Sequence, residues 1–219
     1  MSQQSNNKVI VIQPTDASLK ITDIVERIIS EMVQTGEVDI IGLGDAIFLV
    51  CSAVNVSADI AKVFVNDISI GNVELPSFGK ITALSAHLGK KEIWNYAKAA
   101  EQEEKAMENI EEQTVSVSRA ATIERLLTIS LLRLARFDKI RIVAAGGSIN
   151  DAVTLALMLT KGQISKDPVG TKLVHVYSIG MRNDPTKSIA AISIFLQKGL
   201  TTEWTKRQSE LLKNLQLKA

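Results

Sequence analysis

The sequence predicts an α+β protein of two tandem β-α-β-α-β-β domains, joined by a helix and followed by a C-terminal helix. Three observations predict it. The chain repeats itself: residues 38–50 and 140–153 align so that Gly44 matches Gly146 and Ile47 matches Ile149 at one offset. Each of these cores is preceded by a short alternating apolar run and a helical pattern, and followed by Ser-Ile-Gly at Ser69-Ile70-Gly71 or Ser178-Ile179-Gly180. The period, roughly a hundred residues, is too long for a solenoid unit and fits a duplicated small domain. The boundaries that follow are a first domain over 8–90, a helical acidic linker over 91–113, a second domain over 114–199 and a helix over 200–219.

In the first copy Val9 to Ile12 reads as a strand. Ala17 to Gln34 places Ile21, Ile24, Val25, Ile28, Ile29 and Met32 in a helical stripe, closed by Gly36. Val38 to Ile41 is a short buried strand. A second helix follows Gly42-Leu43-Gly44, with Asp45 as its N-cap and Ile47, Val50 and Val54 on one face. Val63 to Ile70 and Ile81 to Leu88 alternate as two strands around a loop holding Gly71, Pro76 and Gly79, a hairpin. The second copy repeats the order: strand Thr114 to Ser118, helix Ile123 to Ala135, strand Lys139 to Val143, helix Ser148 to Leu159, strands Leu173 to Ser178 and Ser188 to Leu196. Between the copies, Lys91 to Gln113 has Ile93, Ala97, Ala100, Glu104, Met107 and Ile110 at helical spacing. It predicts one helix of about twenty residues with an acidic outer face. Thr202 to Leu217, with Trp204, Leu211, Leu212 and Leu215, is a second amphipathic helix. These two helices either brace the copies or cover an oligomer surface.

A chain of 219 residues that is 46% apolar can build two cores. We find no apolar run of about 18 residues and therefore expect no membrane-spanning helix; Met1 to Lys8 is polar, unlike a signal peptide. The expected location is the cytoplasm. Cys51 stands alone, which excludes an internal disulfide or thiolate cluster, and its apolar neighbours make it a buried small hydrophobe.

Charge is unevenly divided. Residues 1–90 carry six basic against ten acidic side chains and residues 91–113 three against seven, each segment thus at −4. Residues 114–199 carry twelve against five, a balance of +7. Such asymmetry points to a polyanionic partner for one half, or to complementary charges where the copies pack together.

A strand ending at a small-Gly-small turn, then a helix opening Ala46-Ile47 or Ser148-Ile149, is carried by Gly44 to Val50 and by Gly146 to Val153 within one element order. This resembles the Alba family of archaeal and eukaryotic nucleic-acid-binding proteins. The resemblance implies two helices on one face of each sheet, dimerisation through the second helix, and hence a built-in pseudo-dimer. It also implies contact with DNA or RNA through the loop after the first strand, the Gly turn and the hairpin. In the first copy that loop is Gln13-Pro14-Thr15-Asp16 and the turn holds Asp45, which repels phosphate. In the second copy Arg119 occupies the loop, Gly146 and Gly147 offer bare amides at a helix N-terminus, and Lys172, Arg182 and Lys187 lie in or beside the hairpin. These six are the expected nucleic-acid contacts; about four cations on phosphates correspond to a log-log salt slope near −3 to −4 on duplex DNA. Each has a plainer reading. Ser148 with Asp151 forms a capping box, and Arg125, Arg133, Arg136, Lys139 and Arg141 read as a solvated face.

Catalysis is not expected. Gly42-Leu43-Gly44 lacks the third glycine of a dinucleotide fingerprint, and no Ser or Cys nucleophile has a His in a recognisable setting. His87 and His175 lie on strands without a second ligand at useful spacing, so no metal and no cofactor are expected. The expected function is weak, sequence-independent binding of a DNA or RNA backbone, mainly by the second domain, with chromosome association if DNA is the partner. The alternative is a scaffold that has lost this binding and pairs with itself or another Alba-like chain. No membrane partner is expected.

Overall fold

The computed structural model describes residues 9–16, 18–76, 79–161, 167–181 and 183–201. They form an α+β fold with two mixed four-stranded sheets. The first half runs β1 (Val9–Ile12), α1 (Ile21–Thr35), β2 (Glu37–Leu43), α2 (Ile47–Ala61), β3 (Phe64–Leu75) and β4 (Gly79–Gly89). Two linker helices follow, α3 (Tyr96–Lys105) and α4 (Ile110–Gln113). The second half runs β5 (Thr114–Ser116), α5 (Ile123–Arg136), β6 (Lys139–Ala145), α6 (Ile149–Lys161), β7 (Val169–Met181) and β8 (Asp184–Lys198). The strand orders are β1-β2-β4-β3 and β5-β6-β8-β7. In each sheet the first pair is parallel, because a helix crosses over between its strands, and the others are antiparallel.

Two cores were expected; the main buried cluster is shared by both halves, with smaller clusters on the outer faces of the sheets. A single apolar cluster runs from Ile10, Ile24, Ile28 and Ile40 through Ile47, Val50 and Val54 of α2 into Ile149, Val153 and Leu157 of α6 and on to Ile192 and Ile194 of β8. Side chains from α2 and α6 reach each other because both helices carry apolar residues on more than one face. A segment of α2 with its entrance turn, Gly44–Ala61, is in fact long and apolar enough to cross a membrane, correcting the sequence expectation. Here it is the central packed helix, with Ile47, Val50, Cys51 and Ala53 fully buried. The two halves meet at the entrances of α2 and α6, where Asn150 accepts the N–H of Phe48, its counterpart at the repeat offset, at 3.2 Å. Asn55 of α2 donates to the Tyr177 carbonyl at 2.8 Å across the same seam.

The linker is helical but broken. Asn95 caps α3 by accepting the Lys98 N–H at 2.9 Å, and Asn109 caps α4 by accepting the Glu112 N–H at 3.2 Å. Met107, in the turn after α3, packs with Ala100 against Phe195 on the outer face of the second sheet. Gln113 then fixes the entry to β5, donating to the Lys139 carbonyl at 2.8 Å.

The hairpins also differ. Gly71, expected in a loop, sits inside β3 opposite Ala83, and β7 and β8 extend well past residues 173–178 and 188–196. Beyond the last pairs with β2 and β6, Leu43 with Ala83 and Ala145 with Ala191, each hairpin continues as a two-stranded arm; in the first, Val73 and Leu75 pack with Ile41 and Leu43, with Val9 and Val11 against them. The amphipathic helix expected over Thr202 to Leu217 lies outside the described residues.

Candidate nucleic-acid interface

β6 ends at Ala145 in extended backbone, and the chain must then reverse sharply to enter α6. Gly146 makes the reversal at φ +57, and a Cβ there would lie 2.6 Å from Ile189 Cδ1. The left-handed conformation calls for glycine, and a larger residue would also push the tip of Ile189 aside. The residues Gly146–Ser148 form a 3₁₀ turn with Ser148 buried. Gly147 is exposed, and a side chain on it would collide with the guanidinium of Arg119, which lies across it. The loop presenting Arg119 is held by Val117 N–H on the Val143 carbonyl at 2.8 Å and Ala121 N–H on the Ser118 carbonyl at 3.1 Å.

The structure therefore brings Arg119, Gly146 and Gly147 to one corner. There a guanidinium is stacked on the entrance of a 13-residue helix whose dipole already makes that end positive. Among the described residues Arg119 forms no ion pair. A guanidinium over a helix N-terminus attracts anions, while Asp151 in the first turn of α6 and the exposed Asp45 bonded to Asn150 weaken that pull. The matching corner of the first half is different. Gly44 at φ +52 faces Ile81 and Pro14, Asp16 accepts the Gln13 N–H at 2.9 Å, and Asp45 is exposed. Asp45 is not the expected N-cap of α2: its carboxylate accepts from Asn150 Nδ2 at 3.3 Å, a tie between the halves.

The remaining expected contacts do not join this corner. Lys172, near the start of β7, pairs with Glu103 of α3 at 2.9 Å. Glu103 also takes Lys139 at 3.6 Å, Glu104 takes Arg141, and Glu112 takes Arg136 at 2.6 Å. Lys187 lies out on the β7–β8 arm and pairs with Asp184 at 3.0 Å. The bonds from Thr186 and then Lys187 hold the Asp184 carboxyl below its ordinary range. Arg182 lies outside the described residues. Sequence reasoning missed the acidic strap formed by Glu103, Glu104 and Glu112, although the adjacent −4 and +7 segments carried its signal. The charges are complementary, but between linker and second copy.

The histidines have structural neighbours. His87 is buried, with Nδ1 3.0 Å from Asp39 and Nε2 3.6 Å from Glu37. His175 stacks on Tyr177 at 5.1 Å, and burial holds its imidazole below the ordinary value against the opposing pull of Glu104. Among the described residues, no cluster of three or more His, Cys, Asp or Glu side chains is arranged to hold a metal ion.

No protein-family model matches the sequence, and a search among curated proteins finds no matching relative.

Proposed function

We propose that the chain is a non-enzymatic, Alba-type protein that binds a DNA or RNA backbone weakly and without sequence preference, through the Arg119–Gly147 corner of its second half. What supports the Alba reading is that both halves run β-α-β-α-β-β with the same strand order and a left-handed glycine at the same step before the second helix. The observation that carries the binding reading is the unpaired guanidinium over the α6 entrance. Phosphate contacts position such a protein without reading bases, so the affinity depends on few cations and is low.

The test is titration of a short duplex and a single-stranded RNA with the full chain at low salt. Arg119→Glu places a carboxylate in the corner and should abolish binding while leaving the unfolding midpoint unchanged, because Arg119 is exposed in a loop. Binding by the variant as tight as by its parent would remove the corner from the site.

One observation favours the second reading, a scaffold pairing with itself or another Alba-like chain. The strap takes up Lys139, Arg141 and Lys172, cations that a backbone-binding surface would leave free. That reading expects no binding at any salt concentration and self-association measurable by sedimentation.

A further inference from the structure

A second anion-seeking place lies at the seam between the halves, away from the Arg119 corner. A cavity of about 300 Å³ opens between the β3–β4 arm of the first half and the last turn of α6 from the second. It is lined by Asn72, Glu74 and Lys80 on one side and by Leu157, Thr160 and Lys161 on the other. Two halves of one chain thus bring two ammonium groups to one hollow. Among the described residues neither lysine forms an ion pair. The Asn72 side-chain nitrogen is buried and donates to nothing, an unmet demand for an acceptor in the same wall.

The lysines are close enough to feel each other. The Lys161 ammonium is held below its ordinary value, first by burial and then by the charge and hydrogen-bonding proximity of Lys80. Two adjacent cations repel unless an anion separates them. Glu74 stands across the ladder from Lys80, but it is exposed and already engaged in an interaction of its own. Thr160 is committed as well, its hydroxyl donating to the Leu157 carbonyl at 3.2 Å. The negative end of α6 lies nearby and opposes an anion, which limits the affinity. Two ammonium groups and an amide offer several donors and two positive charges. That matches a tetrahedral dianion better than a singly charged diester.

We propose that the seam cavity bounded by Lys80, Lys161 and Asn72 binds one phosphate dianion and that the bound anion fastens the β3–β4 arm to α6. The site does not depend on the nucleic-acid reading. The ligand is free phosphate or a terminal phosphoryl group; a backbone phosphodiester is a monoanion and a poorer match.

The experiment is thermal unfolding of the full chain in inorganic phosphate against chloride at matched ionic strength and pH 7.5. At ten times a millimolar dissociation constant the midpoint should rise by about 3–6 °C. Dimethyl phosphate, the diester probe, should raise it by much less. The double variant Lys80→Gln, Lys161→Gln should lose the response and, in chloride, be at least as stable as the parent because the repulsion is gone. Asn72→Ala should weaken the response, and Arg119→Glu should keep it in full, which separates this site from the Arg119 corner. A parent indifferent to phosphate, a double variant that still responds, or an equal response to dimethyl phosphate would each overturn the proposal.

Discussion

At the scale of single residues, the seam is defined by one asparagine. Asn150 accepts the Phe48 N–H at 3.2 Å and donates to Asp45 at 3.3 Å, so a side chain of the second half caps the central helix of the first. The α2 entrance has no side-chain cap of its own. Asn150→Ala should therefore cost about 1–2 kcal/mol, read as a lower urea midpoint with unchanged slope. An unchanged midpoint would mean that water replaces the cap without loss. Asp45→Arg, which on charge alone should strengthen nucleic-acid binding, instead breaks this tie. Cys51 tests the same region differently. Burial pushes its thiol up to about 12, so at pH 8 an aromatic disulfide reagent should label it only as fast as the chain opens. Rapid labelling of the folded chain would contradict its place in the core.

At the scale of elements, the helix-forming segments were legible and their ends less so. The stripe from Ile21 to Met32 and its Gly36 stop read directly, since spacing and a left-handed glycine are local properties. The break at Ala106–Asn109 did not read. Ala, Glu, Gln and Lys favour helix throughout, and the restart is marked only by Asn109, which caps α4 by accepting the Glu112 N–H. The arms were missed for different reasons: in the first, Val73 and Leu75 alternate with Asn72 and Glu74 but Gly71 was read as the loop, and in the second the last residues of β7 are exposed, so no buried face marks the strand. The Arg119, Gly146 and Gly147 cluster was legible because a turn needing left-handed backbone marks itself with glycine. That Lys172 is taken up by Glu103 was not legible, because a pair separated by three helices and two strands leaves only a charge imbalance in the sequence.

At the scale of the whole molecule, one core serves two sheets, so neither half buries its second helix alone. Residues 1–90 and 91–219, expressed separately, should associate one to one when mixed. Two folded monomers that ignore each other would show that the shared cluster contributes little.

The charge distribution makes the sharper claim: the basic excess of the second half is divided between a free corner and a set of cations held by the linker. On the proposed function, Arg119 of the corner with Lys187 and Arg182 of the expected set would make about three phosphate contacts at most, giving a log-log salt slope on duplex DNA of about −2 to −3, shallower than four contacts would give. The half-buried pairs of α3 hold Lys139, Arg141 and Lys172 out of that sum. The most direct measurement is the salt dependence of duplex binding by the parent and by the variant Glu103→Gln, Glu104→Gln. The account predicts a parent slope near −2 to −3 and a variant that binds more tightly with a slope steeper by about 2–3. No binding by the parent at low salt, or a variant with the parent's slope, would contradict it.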